Sequence, residues 1–137
     1  MSERIFEKVV QSDPGVLPEL EEFIIGIAKK SNLNKNKINN LVLSFSEAVS
    51  NSIVHGNKLD SSKKVFIKVN VDNEKMTIII KDEGRGFDLK SVPDPTKPEN
   101  MLKDSGRGIH IMKSFVDNLH YNFTSKGTEA ILEINLK

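Results

Sequence analysis

Apolar positions recur with two periods along this chain, and the switches between them predict its elements. Residues 4–10 alternate, with Ile5 and Val9 on one side and Phe6 and Val10 on the other, which predicts a short edge strand broken by Ser12-Asp13-Pro14-Gly15. Over residues 18–30 the period turns helical through Leu20, Phe23, Ile24, Ile27 and Ala28; Glu19, Glu21 and Glu22 near the start and Lys29 and Lys30 near the end match the helix dipole. A polar turn at 31–34 leads into a longer helix over 35–54, striped by Ile38, Leu41, Val42, Phe45, Val49 and Ile53 and stopped by Gly56. Residues 64–71 and 75–81 then alternate as two strands joined through Asp72-Asn73-Glu74.

The stretch 88–105 holds three of the five prolines and little periodicity, so it reads as a long exposed loop of the kind that often serves as a lid. Helical spacing returns over 108–116 (Ile109, Met112, Phe115, Val116), and 119–123 and 128–136 alternate as two last strands. This order predicts an α+β two-layer sandwich, an antiparallel or mixed sheet with helices on one face.

Composition narrows the picture. At 137 residues, 37% hydrophobic and 28% charged, the chain suits one folded domain spanning 1–137. The net charge of +1 gives no footprint for direct nucleic-acid binding. Without cysteine there is neither a disulfide framework nor a thiolate metal site. The start carries no apolar signal segment, and no stretch reaches the ~20 apolar residues of a membrane helix. The expected location is the cytoplasm, with no membrane contact.

Four constellations could carry chemistry. On the long helix Glu47, Asn51 and His55 stand four apart, a polar row beside the apolar stripe. A carboxylate there can take a proton from a hydroxyl, and an amide oxygen can ligate Mg²⁺ whose other oxygens come largely from phosphates. Alone, the row also reads as a solvated helix face, with His55 a helix-end residue. Asp82-Glu83-Gly84-Arg85-Gly86 follows the apolar run Ile78-Ile79-Ile80. An aspartate at a strand end can accept from an exocyclic amine such as adenine's, and the glycines let backbone approach a ring; alone, this is also a plain turn. Gly106-Arg107-Gly108 opens a helix, where free amides suit a polyphosphate and Arg107 either touches the γ-phosphate or faces solvent; alone, this is also a simple glycine turn. Lys126-Gly127-Thr128 reads as a hairpin turn.

Taken in order, Glu47-x-x-x-Asn51 with His55-Gly56-Asn57, Asp82-x-Gly84-x-Gly86-Phe87, Gly106-x-Gly108 and Gly127-Thr128 resemble the N, G1, G2 and late Gly-Thr boxes of the GHKL ATPase superfamily. The runs SEAVSNSIVHGN and KDEGRGFD are most similar to anti-sigma-factor serine/threonine kinases, and the resemblance extends from about residue 4 to the C-terminus. It implies the Bergerat fold, a mixed, mostly antiparallel sheet under helices with ATP between the helix layer and a lid at about 88–105. It implies roles as well: Glu47 as general base, Asn51 on Mg²⁺, Asp82 on the adenine amine with Gly84 and Gly86 admitting the base. Gly106 and Gly108 would close on the phosphates, and Thr128 would back the adenine site.

The expected activity is phosphorylation of a small antagonist (anti-anti-sigma) protein, with exchange of partners that include a sigma factor or similar regulator; a homodimer is implied too. The alternative is a nucleotide-gated regulator-binding module with negligible kinase activity. A histidine-kinase catalytic half fits less well, since no helical hairpin with a phosphoacceptor histidine precedes the first strand.

Overall fold

A computed structural model of the chain describes residues 3–84, 116–124 and 126–136. Strand β1 (Arg4–Gln11) turns Phe6 and Val10 inward and leaves Ile5 and Val9 exposed on the opposite side. Asp13 then redirects the chain, its Oδ1 accepting from the Gly15 N–H at 2.9 Å to cap a short 3-10 turn at Pro14–Val16. Helix α1 (Leu17–Lys30) carries Pro18 in its first turn, where a missing N–H leaves no helical bond unmade. Its stripe of Leu20, Ile24, Ile27 and Ala28 is buried. Helix α2 (Lys35–Asn51) is capped by Asn34, whose Oδ1 accepts from the Lys37 N–H at 2.8 Å, and it buries Leu41, Phe45, Ala48 and Val49.

The helix expected over 35–54 is corrected at its end. The α-helical ladder stops at Asn51, and the chain continues through a wider π-helical turn, Ser52–Gly56, in which the Asn57 N–H reaches the Ser52 carbonyl at 2.8 Å. An extra residue in a turn rotates whatever follows it, and such turns gather at functional sites. Lys58 and Leu59 then take left-handed φ values of 56° and 61°, a conformation costing a side-chain-bearing residue roughly 1–2 kcal/mol.

Strands β2 (Lys64–Val71), β3 (Lys75–Lys81), β4 (Asn118–Thr124) and β5 (Gly127–Asn135) complete a five-stranded sheet ordered β1-β2-β3-β5-β4. Every described pairing is antiparallel. The β2–β3 hairpin closes on Asp72, whose Oδ1 accepts from the N–H groups of Glu74 and Lys75. Alternate residues of the sheet (Val65, Ile67, Val69, Val71; Met76, Ile78, Ile80; Ala130, Leu132, Ile134) join the helices in one core. Full burial of each large aliphatic chain is worth roughly 1.5–3 kcal/mol. The result is the expected α+β two-layer arrangement, with both helices contributing to that core.

Strand order sets the site. Because β3 lies beside β5, Lys81 pairs with Glu129, and the next rung brings Asp82 against Thr128. The lid expected over 88–105 and the helix expected over 108–116 lie outside the described residues, Val116 apart.

Candidate functional site at the end of β3

Asp82 leaves the core strand 1% exposed, held by backbone alone. Its N–H donates to the Thr128 carbonyl at 3.0 Å, while its Oδ1 accepts from the N–H groups of Gly84 at 2.9 Å and Thr128 at 3.1 Å. Its other oxygen, Oδ2, is buried with no partner among the described residues, and so is the Thr128 hydroxyl. Burial pushes the Asp82 carboxyl above the usual aspartate range, against a weaker downward pull from its two backbone donors and Lys63. A buried acceptor oxygen and a hydroxyl, both without partners among the described residues, suit a ligand that brings a donor.

Three glycines make this packing possible. A Cβ on Gly56 would overlap the Asp82 carboxylate, one on Gly84 the Gly56 carbonyl, and one on Gly127 the Asp82 carbonyl; Gly127 also takes φ 151°. Side-chain-free backbone thus brings the end of the π turn onto the end of β3. Fully buried Asn57 fastens the same junction: its Oδ1 accepts from the Glu83 N–H at 2.8 Å, and its Nδ2 donates to the Lys64 carbonyl at 3.1 Å. Glu83 Oε1 in turn accepts from the Lys64 N–H at 3.2 Å.

Asn51, 6% exposed, ends α2, and Glu47 is half-buried one turn earlier. Both lie in regular α-helix, so the four-residue spacing keeps them on one face; the step on to His55 runs through the π turn instead. Burial, with Lys58 nearby, lowers the His55 pKa and favours its neutral form. Facing Asn51 is a group the sequence did not single out, the Tyr121 hydroxyl on β4. The sequence signal was there: Tyr121 is the chain's one tyrosine, at an inward position of an alternating strand.

The structure therefore brings Asp82, Gly84 and Thr128 together with Gly56 and Gly127. Gly86, Gly106, Arg107 and Gly108 lie outside the described residues.

The histidine kinase-like ATPase domain family matches residues 10–134, nearly the whole chain and every residue described above at this site. The chain belongs to that family. Among curated members, it is 34% identical over 102 residues to an anti-sigma F factor of Clostridium perfringens, covering 71% of each. To the serine-protein kinase RsbW of Bacillus licheniformis it is 28% identical over 112 residues, covering 77% of this chain and 70% of that one. Of solved structures with this histidine kinase-like ATPase fold, the RsbU and RsbW domains of a Mycobacterium tuberculosis protein match with a TM-score of 0.70 at 14% identity, over 96% of this chain and 32% of theirs. The histidine kinase domain of a blue-light activated kinase from Erythrobacter litoralis matches with a TM-score of 0.59 at 17% identity, over 90% and 60%. At those identities the structural likeness speaks for the fold alone. No helix among the described residues is long and apolar enough to cross a membrane.

Proposed function

We propose that this chain is an ATP-dependent anti-sigma-type protein kinase that phosphorylates a serine or threonine of a small antagonist protein and exchanges that partner for a sigma factor or similar regulator. The observation that carries the nucleotide half is the buried Asp82 Oδ2 and the Thr128 hydroxyl, neither with a partner among the described residues. An adenine amine supplies an N–H to Oδ2, and the edge of the base, or a water between, satisfies the hydroxyl. The relatives named anti-sigma F factor and serine-protein kinase favour phosphoryl transfer over nucleotide-gated binding alone.

Asn51 Oδ1 would ligate Mg²⁺. No group of three or more His, Cys, Asp or Glu among the described residues could hold a metal, so such an ion would draw most of its oxygens from phosphates and water. Bound Mg²⁺-ATP supplies the phosphoryl group and the metal's neutralising charge. The protein's part is to grip the base at Asp82, to orient Asn51, and to take the substrate hydroxyl proton on Glu47. Gly86, Gly106, Gly108 and Arg107 complete the reading as backbone and cation contacts around base and phosphates, in a homodimer acting in the cytoplasm.

Radiolabel transfer from ATP to a candidate antagonist protein tests this. Glu47→Ala should bind ATP normally and lose about 10²-fold or more in transfer rate. Undiminished transfer by Glu47→Ala removes Glu47 as base; ATP and partner binding without any transfer by the unmutated protein leaves only the gated module.

A further inference from the structure

At the end of β3 away from Asp82, the sheet and α1 enclose a cavity of about 290 Å³. Its wall includes Arg4 at the start of β1, Lys30 and Asn32 at the end of α1, Asp72 and Asn73 in the β2–β3 hairpin, and Leu136 just past β5. The seven residues of β3, at about 3.3 Å each, separate it from the Asp82 carboxylate by roughly 20 Å. None of these wall residues has a part in the nucleotide site.

Arg4 pairs with Val71 and shares the inward side of β1 with Phe6 and Val10, so its side chain runs under the last turn of α1. There Nη2 donates to the Lys30 carbonyl at 3.5 Å, the outer limit of a hydrogen bond. Nε is shut away from solvent and has no acceptor among the described residues, where Arg4 forms no ion pair either. A guanidinium keeps its charge at every pH the protein meets, so it cannot answer that lack by releasing a proton. Asp72 is the acid on the wall, but its Oδ1 already accepts from the N–H groups of Glu74 at 2.7 Å and Lys75 at 2.8 Å, which ties it to its own hairpin. Lys30 brings a second cation, and Val71 and Leu136 give the wall an apolar part.

We propose that this cavity binds a small aliphatic carboxylate, held side-on by Nε and Nη2 of Arg4 with its carbon chain against Val71 and Leu136. The match is one of shape as well as sign. The two oxygens of a carboxylate lie in a plane at the spacing of two parallel N–H groups, whereas a lysine offers only a point charge. The Lys30 contact is weak enough to be exchanged for a ligand oxygen. A phosphate carries the charge but has no chain for the apolar wall. Such a ligand ties together β1, the end of α1, the β2–β3 hairpin and Leu136, whose N–H already meets the Glu74 carbonyl at 2.8 Å.

Butyrate is the probe, followed by the Arg4 Nε–H resonance and the backbone amides of Asn32 and Asn73. Butyrate should shift all three saturably at millimolar concentration, and butyramide, the same shape without the charge, should bind at least about tenfold more weakly. Arg4→Gln should abolish saturation while adenosine affinity stays within about twofold. Should that variant fold poorly, Arg4→Lys keeps the charge and loses the paired donors, and butyrate should weaken about five- to tenfold. Saturation should be the same with and without adenosine. No saturable shift up to about 50 mM butyrate overturns the proposal, as does equal binding of butyramide or undiminished binding in either variant. Competition by adenosine overturns it too, since butyrate would then occupy the nucleotide site. Inorganic phosphate that binds here as well as butyrate does would overturn the aliphatic class of ligand.

Discussion

Asp82 and Thr128 are joined by two hydrogen bonds that run in opposite directions: the Asp82 N–H donates to the Thr128 carbonyl at 3.0 Å, and the Thr128 N–H donates to Asp82 Oδ1 at 3.1 Å. With Gly84 N–H also on Oδ1, that oxygen is occupied twice and cannot serve a ligand as well. All capacity for recognition passes to Oδ2. The carboxylate is therefore aimed before any nucleotide arrives.

Asp82→Asn separates the two oxygens. The amide oxygen can keep both backbone donors, but the amide nitrogen then stands where Oδ2 was and meets an adenine amine donor to donor. ATP affinity should fall by roughly 1.5–3 kcal/mol, and the preference should move toward a 6-oxo purine, whose oxygen accepts. Competition between ATP and ITP on the variant checks this; unchanged ATP preference would remove Asp82 from base recognition.

The pH dependence of stability follows from the raised Asp82 pKa. A carboxyl harder to ionise when folded contributes stability that is fully present below the unfolded value, near pH 3.9, and lost as pH rises through the higher folded value. In the ligand-free protein, Asp82→Asn should gain on the unmutated protein as pH rises through that window and hold a constant lead above it. Urea unfolding of both proteins from acid to neutral pH measures the difference, and a lead that shrinks with pH contradicts it.

Two glycines should respond with opposite sign. Gly84→Ala drives a methyl into the Gly56 carbonyl and should lose about 1–3 kcal/mol, with nucleotide binding impaired. Gly26, inside α1, has nothing within 4 Å of an added Cβ, and Gly26→Ala should gain roughly 0.5–1 kcal/mol. Equal unfolding midpoints for the two variants would contradict the packing described.

Asn57 fastens the end of the π turn to both β2 and the loop after β3. Asn57→Ala leaves the Glu83 N–H and the Lys64 carbonyl without their partner, at a cost of about 1–3 kcal/mol. ATP binding should weaken with it, because the Gly84 N–H that aims Asp82 follows directly on Glu83. A variant with lowered stability and unchanged ATP affinity would show that the junction supports the fold and not the pocket.

The fold was legible where one face of an element is buried and the other is not. The alternation of β2, buried at Val65, Ile67, Val69 and Val71 and exposed between, predicts both strand and face, and α1 follows its stripe and end charges. The end of α2 was not legible. Ile53 falls on the expected stripe and is buried whether or not the turn before it carries an extra residue, so the pattern cannot register the π turn. In the site, Asp82 and Gly84 stand in one short run and could be singled out from it, whereas Thr128, in a run that alone reads as a hairpin turn, entered only through the family resemblance. Tyr121 is visible as the chain's one tyrosine at an inward strand position, but nothing in the sequence tied it to Asp82 or Asn51, which lie far from it along the chain.

The close approaches of Gly56, Gly84 and Gly127 also constrain how the chain can diverge. Gly56 and Gly127 press on one aspartate, its carboxylate and its carbonyl, and Gly84 presses on Gly56 in turn. A methyl tolerated at any of them requires a neighbouring backbone to withdraw, so substitutions at these positions should be strongly non-additive. In a lineage that drifts away from adenine, the three glycines and Asp82 should be lost together rather than one at a time.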